Sequence, residues 1–147
     1  MAELFPMNSP VKLLTVVQYY KDHKPWVAHP VKNPLWSAVD EAIRRMDNFC
    51  FPIILLSCAQ YEDAEGAFED EDAFNVIGGA GRFALFQMTG PWRYDDSSGR
   101  MGEVRLWDSD QGYFCQEGNI LVDIEKVLRI AKRFYETGSY DGLSDVQ

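Results

Sequence analysis

Residues 76–86 read VIGGAGRFALF, and how these eleven residues fold decides the architecture around them. Two readings compete. GAGRFA (79–84) matches G-x-G-x-x-A in letters. A dinucleotide fingerprint needs a strand before it and a helix after it, so that the first helical amides meet the pyrophosphate. Here the glycines lead into FALFQM (83–88), an apolar and aromatic run of strand character. No G-K-[ST] comes after them either, which excludes a P-loop. The other reading is a hairpin. Runs 73–77 and 82–88 flank GGAG as two strands, and glycine supplies the positive φ that a tight turn requires. A hairpin here implies an antiparallel sheet, not a doubly wound parallel one.

The neighbouring segments extend that sheet. FPIILLSC (51–58) is short and almost wholly apolar, as a central strand buried on both faces should be. VKLLTVVQYY (11–20) is rich in β-branched and aromatic residues and also reads as a strand. Residues 21–32 contain Pro25, Pro30 and both histidines, and read as an irregular connection. Residues 102–107 and 112–116 form a second hairpin around DSDQ.

Two amphipathic helices complete the set. Asn33 is a candidate cap and Pro34 suits a first helical position. Trp36, Val39, Ala42, Ile43 and Met46 then fall on one helical face. Near the end, Asp123 is a candidate cap for a stripe of Ile124, Val127, Leu128, Ala131, Phe134 and Tyr135. Gly138 stops that helix, and residues 139–147 read as a polar tail. The order β-α-β-β-β-β-β-α predicts an α+β fold: a mainly antiparallel sheet of five to six strands with two helices packed on it.

At 147 residues the chain is one domain, spanning 1–147. With 46% hydrophobic and 25% charged residues, global disorder is excluded. The net charge of −9 argues against direct nucleic-acid contact, which needs clustered Lys and Arg, and is compatible with a basic partner. No apolar run is long enough to span a membrane, and MAELFPMNSP lacks the basic and apolar regions of a secretory signal. Cys50, Cys58 and Cys115 sit in apolar, strand-like contexts and read as reduced thiols of a cytosolic protein. A Cys50–Cys58 bridge stays open. With only His23 and His29 and no C-x-x-C, a zinc site is not expected.

The usual catalytic patterns are missing. No serine lies in a G-x-S-x-G elbow. The cysteines sit where burial raises a thiol pKa and makes it inert. Asp95–Asp96 and Asp108/Asp110 are carboxylate pairs without EF-hand spacing, and fit turns better than a divalent ion. No catalytic residue, metal or cofactor is therefore expected.

One segment stands out. Glu62, Asp63, Glu65, Glu69, Asp70, Glu71 and Asp72 place seven acids in eleven residues, with Tyr61 and Phe68 among them. Removing these seven from −9 leaves −2. Like charges repel, so gathering them costs stability. A solvated loop would keep the flanking strands soluble. A functional patch would steer a basic partner onto the protein and reject others. PWRYDD (91–96) is the second candidate: Trp92, Arg93 and Tyr94 have the composition of a binding hot spot, though Trp92 could equally pin its loop down. Trp107, at the end of a strand, could be core or rim.

In their order these pieces resemble a known family. LWSAVDEAIRRMDN (35–48) opens a helix with Trp, and an apolar strand leads into an acidic connection. VIGGAGRFALF comes next, then GEVRL (102–106), then a closing helix ending RFYETG (133–138). Over residues 35–140 the chain resembles immunity proteins of bacterial polymorphic toxin systems, specifically the broad α+β family numbered one among them. The tail, YDGLSDVQ, lacks the Trp that many members carry. The resemblance implies a non-catalytic cytoplasmic protein that binds a cognate toxin domain and occludes its substrate cleft. The toxin would be basic and nucleic-acid-modifying, a deaminase or a nuclease. Alternatives from the residues themselves are a small enzyme using residues 78–82, or an acidic adaptor or chaperone for a basic partner.

Overall fold

The glycine-rich stretch folds as a hairpin. The computed structural model describes residues 9–20, 26–58 and 73–147. In chain order these give β1 (Leu13–Gln18), β2 (Val27–Lys32), α1 (Trp36–Arg45), β3 (Ile53–Ser57), β4 (Phe74–Gly79), β5 (Arg82–Gln87), β6 (Glu103–Leu106), β7 (Tyr113–Gln116) and α2 (Ile124–Thr137). Short 3-10 turns occupy Glu117–Asn119 and Leu143–Asp145.

Among the described residues the strands make a five-stranded sheet, β2-β1-β3-β4-β5, and a separate β6–β7 pair. Every pairing is antiparallel. Gly79 pairs with Arg82, so Ala80 and Gly81 alone make the turn. Both have positive φ, 54° and 88°, the requirement of a two-residue type I′ turn. Gly79 has a different role. A Cβ there would lie 2.6 Å from the Asp47 nitrogen, so the end of α1 can approach only a glycine. Turn geometry and backbone contact thus account for the letters that mimic a nucleotide motif.

Strand alternation sorts the core into two layers. Leu14, Val16, Ile54, Leu56, Phe74, Val76, Phe83 and Leu85 face the helices, meeting Val39 and Ile43 of α1 and Val127, Ile130, Ala131 and Phe134 of α2. Phe74 and Phe134 stack at 5.0 Å, an aromatic contact of about 0.5–1.5 kcal/mol beyond its buried area. On the opposite face Ile77 and Ala84 pack against Leu106 and Cys115 of the small hairpin. There Phe86 stacks on Tyr113, with centroids 4.8 Å apart and planes parallel to 1°. The sheet is therefore covered by helices on one side and by β6–β7 on the other.

Asp123 caps α2 by accepting the Glu125 N–H at 3.0 Å, and Gly138 ends it in the left-handed region at φ 66°. Three expectations need correction. Residues 27–32 are not irregular: they form the edge strand β2. Asn33 donates to the Lys12 carbonyl at 2.8 Å, and the alternation of an antiparallel ladder then turns position 30 away from β1. Proline has no N–H to lose on that outer side, so Pro30 is tolerated. Helix α1 starts at Trp36 rather than at Pro34, with Leu35 at the cap and no side-chain cap bond. Asn33 bends the chain just past β2 at φ 50°, and the Pro34 carbonyl accepts the Tyr135 hydroxyl at 2.7 Å. Nor is the C-terminal segment a solvated tail. Gly142, at φ 79°, turns Leu143 inward until it is fully buried, and Tyr140 lies 5.0 Å from the Phe134 ring.

Candidate functional site

The segment carrying Trp92, Arg93 and Tyr94 is held to the free side of β5. Gln87 donates its N–H to the Trp92 carbonyl at 2.9 Å, and Tyr94 donates to Leu85 at 2.9 Å. Phe86 faces Arg93 across this short pairing. Strand geometry then separates the three side chains. Trp92 and Tyr94 turn toward the helix layer, where both are partly buried against the main core. Trp92 lies 5.9 Å from Phe74 and 5.8 Å from Tyr140, and its indole N–H donates to Ser144 Oγ at 3.1 Å. Lys126 sits 5.6 Å above the Tyr94 ring. Arg93 turns the other way, toward the β6–β7 side. The hot-spot triplet is brought together in sequence but not on one face. Trp92 pins its loop, the second of the two roles its sequence allowed.

Arg93 opens onto a cleft of about 490 Å³ beside the small hairpin. Asp95, Met101, Glu103 and Phe114 stand around it with Arg93, and Cys115 is part of its wall. Its frame is tied by main-chain bonds. Asp96 donates to the Gly118 carbonyl at 2.8 Å and Glu117 to Gly102 at 2.8 Å, while Asn119 Nδ2 donates to the Tyr94 carbonyl at 3.1 Å. The turn after Asp96 is stitched by side chains: Asp95 accepts the Ser97 N–H at 2.7 Å, and Asp96 accepts that of Ser98 at 2.8 Å. Hydrogen bonding from Ser98, and then from Arg100 at 2.7 Å, holds the Asp96 carboxyl down at about 2. Burial pushes the Cys115 thiol up, against the pull of Arg93 and Arg82. That thiol is mostly protonated at neutral pH and unsuited to nucleophilic attack.

Some of the surface charges are paired and others are not. Arg44, Arg100 and Arg105 all carry ion pairs. The Arg93 guanidinium and the Glu103 carboxylate make no hydrogen bond or ion pair among the described residues. Beside them Met101 is 71% exposed and Phe114 52% exposed. Met101, Glu103 and Phe114 were not among the sequence candidates. The signal was the alternation in YFCQ: with Cys115 inward, Phe114 must point out.

The other carboxylate pairs serve the fold. Asp108 accepts from Asn48 Nδ2 at 3.0 Å and from Arg105 at 3.2 Å. Asp110 accepts the Tyr19 hydroxyl at 3.0 Å; burial above all, with Asp110 adding to it, pushes that phenol up to about 12. Trp107 is half-buried between core and rim, edge-on to Tyr19 at 5.9 Å. Among the described residues no three His, Cys, Asp or Glu side chains converge as a metal site. No disulfide joins Cys50, Cys58 or Cys115. No described helix is long and apolar enough to cross a membrane.

The acidic candidates Glu62, Asp63, Glu65, Glu69, Asp70, Glu71 and Asp72 lie outside the described residues. Their attachment is defined: they connect β3 to β4, and Leu56 pairs directly with Phe74. The connection therefore leaves and rejoins the sheet at adjacent central strands.

No family model, no curated protein and no solved structure matches the chain.

Proposed function

We propose that this protein is a non-catalytic immunity protein of the cytoplasm. It binds a cognate bacterial toxin domain, basic and nucleic-acid-modifying, with a deaminase the foremost choice, and covers its substrate cleft. One observation carries this reading. Seven acids fall within residues 62–72, while the remainder of the chain nets only −2. A charge so concentrated, between two adjacent central strands, is suited to meet cationic residues that otherwise hold phosphate. The family resemblance over residues 35–140 supports the same class of function, and the α+β fold agrees with what it implies.

The test is co-expression with the protein encoded in the adjacent reading frame, which this reading expects to be a basic toxin domain. Cells making both should grow, the two proteins should purify one-to-one, and the toxin's activity on nucleic acid should fall to background in the complex. A complex in which the toxin stays fully active would make the protein an adaptor. Turnover of a substrate by the isolated chain would make it an enzyme.

A further inference from the structure

Steering charge does not by itself give tight inhibition. Nanomolar binding asks for far more than a few solvent-screened ion pairs supply. An anchor is required, with an apolar surface that a partner can desolvate. Trp92 and Tyr94 are partly buried against the helix layer, on the face away from Arg93.

We propose that the cleft between the β6–β7 hairpin and residues 93–103 is that anchor. Its occupant is a protein segment that pairs an apolar side chain with a cation. The apolar side chain sits on Phe114 and Met101. The cation meets Glu103, with Asp95 alongside. Arg93 donates to a main-chain carbonyl of the same segment. Three observations support this. Two carboxylates against one guanidinium give the cleft a negative balance, so a cation is preferred over an anion. The Glu103 carboxylate and the Arg93 guanidinium, both lining the cleft, have their hydrogen-bonding capacity unspent among the described residues. The apolar pair beside them is exposed on a frame already fixed by main-chain bonds, so little conformational freedom is lost on binding. The identity of the partner rests on the immunity reading; the chemistry of the cleft does not.

The experiment uses the full chain with labelled methionine methyls and three peptides: acetyl-(Lys-Phe)3-amide, acetyl-(Lys-Gly)3-amide and acetyl-(Glu-Phe)3-amide. The first should shift the Met101 methyl in a saturable titration, and the other two should leave it in place. Phe114→Ser should weaken that binding about tenfold. Glu103→Gln, which keeps shape and removes charge, should weaken it about threefold. Both side chains are exposed, so neither change threatens the core. A Met101 methyl unmoved by acetyl-(Lys-Phe)3-amide would overturn the proposal, and so would parental affinity in Phe114→Ser. The two readings fail separately. If a variant carrying both Phe114→Ser and Glu103→Gln still protects cells from the toxin with parental affinity, the cleft is not the anchor and the immunity function stands. If the peptide binds as expected but the adjacent toxin is neither bound nor inhibited, the cleft stands and the immunity function falls.

Discussion

The Asn48 side-chain carbonyl accepts the Trp107 backbone N–H at 2.7 Å. The same side chain donates to Asp108 at 3.0 Å, and the Asn48 main-chain carbonyl accepts the Asp108 N–H at 2.9 Å. Both Asn48 and Trp107 have left-handed backbones, at φ 69° and φ 66°. For a residue as bulky as Trp that conformation is unusual, and the bonds to Asn48 hold it. This contact fastens the tip of the small hairpin to the loop after α1. Asn48→Ala leaves the Trp107 N–H and the Asp108 carboxylate without this partner and puts a Cβ residue without a local bond into the left-handed region. Equilibrium unfolding in urea should show a loss of about 2–4 kcal/mol. Asn48→Gly, which relieves the backbone term, should lose about 1 kcal/mol less. Equal losses would show that φ contributes nothing.

The glycine hairpin separates two causes in adjacent residues. Gly79→Ala would drive a Cβ into the backbone of residues 46–48, where no side chain can swing away. A loss of about 3–5 kcal/mol is expected, large enough to lower soluble yield. Ala80→Gly removes a left-handed alanine at φ 54° and should gain up to about 1 kcal/mol. Thermal unfolding of the pair measures both. A protected transition in the presence of a dinucleotide would contradict the structural role assigned to these glycines.

Much of the fold arises from local pattern. The stripes of α1 and α2, the apolar run of β3 and the turn at residues 80–81 each have a physical cause within a few residues. Residues 27–32 and the C-terminal segment do not. VAHPVK carries a proline and a histidine, and only its place at the sheet edge makes it a strand. Leu143 stands among polar residues, and only the main core, which it joins, gives it somewhere to go. The cleft was hidden for the same reason: Arg93, Glu103 and Phe114 meet only once the small hairpin lies across the sheet. Composition also says nothing of alternating faces, so the opposed directions of Trp92 and Arg93 could not be read from the WRY triplet.

The buried tail makes its own prediction. Leu143 is completely buried, so Leu143→Ala should cost about 2–4 kcal/mol, as for a core leucine. Ser144→Ala removes only the acceptor of the Trp92 indole, at an exposed bond, and should cost under about 1 kcal/mol while shifting the tryptophan emission. If Leu143→Ala unfolds at the parental urea midpoint, the C-terminal turn does not belong to the core.

Asp96 fixes the sign of a pH effect. Its carboxyl is held at about 2 in the folded protein, below its ordinary value of 3.8. A depressed carboxyl contributes stability that is present above the unfolded value and lost as pH falls through the folded one. The contribution of Asp96 should therefore be complete above about pH 5 and disappear between there and pH 2. Unfolding of the parent and of Asp96→Asn across that range tests it. The parent should be the more stable at neutral pH, and the two curves should converge in acid. A difference that does not change with pH would mean that Asp96 acts by shape alone.

The acidic connection between β3 and β4 should govern the rate of encounter rather than the lifetime of the complex. Changing Glu65, Glu69, Asp70 and Glu71 to Lys takes the net charge from −9 to −1. Against a basic partner this removes the long-range attraction and opposes the approach. Association at low salt should slow by about ten- to a hundredfold, while dissociation changes by no more than about threefold. For the parent, raising the ionic strength from roughly 0.01 to 0.15 M shortens the Debye length from about 30 to 8 Å and should slow association steeply. The variant should respond weakly or in the reverse sense. Stopped-flow mixing with the toxin domain gives both rates. Phe114→Ser should do the opposite, leaving association near the parental rate and speeding release, since an anchor acts after contact is made. Parental association by the four-lysine variant would remove the acidic segment from the interface, whatever the cleft does.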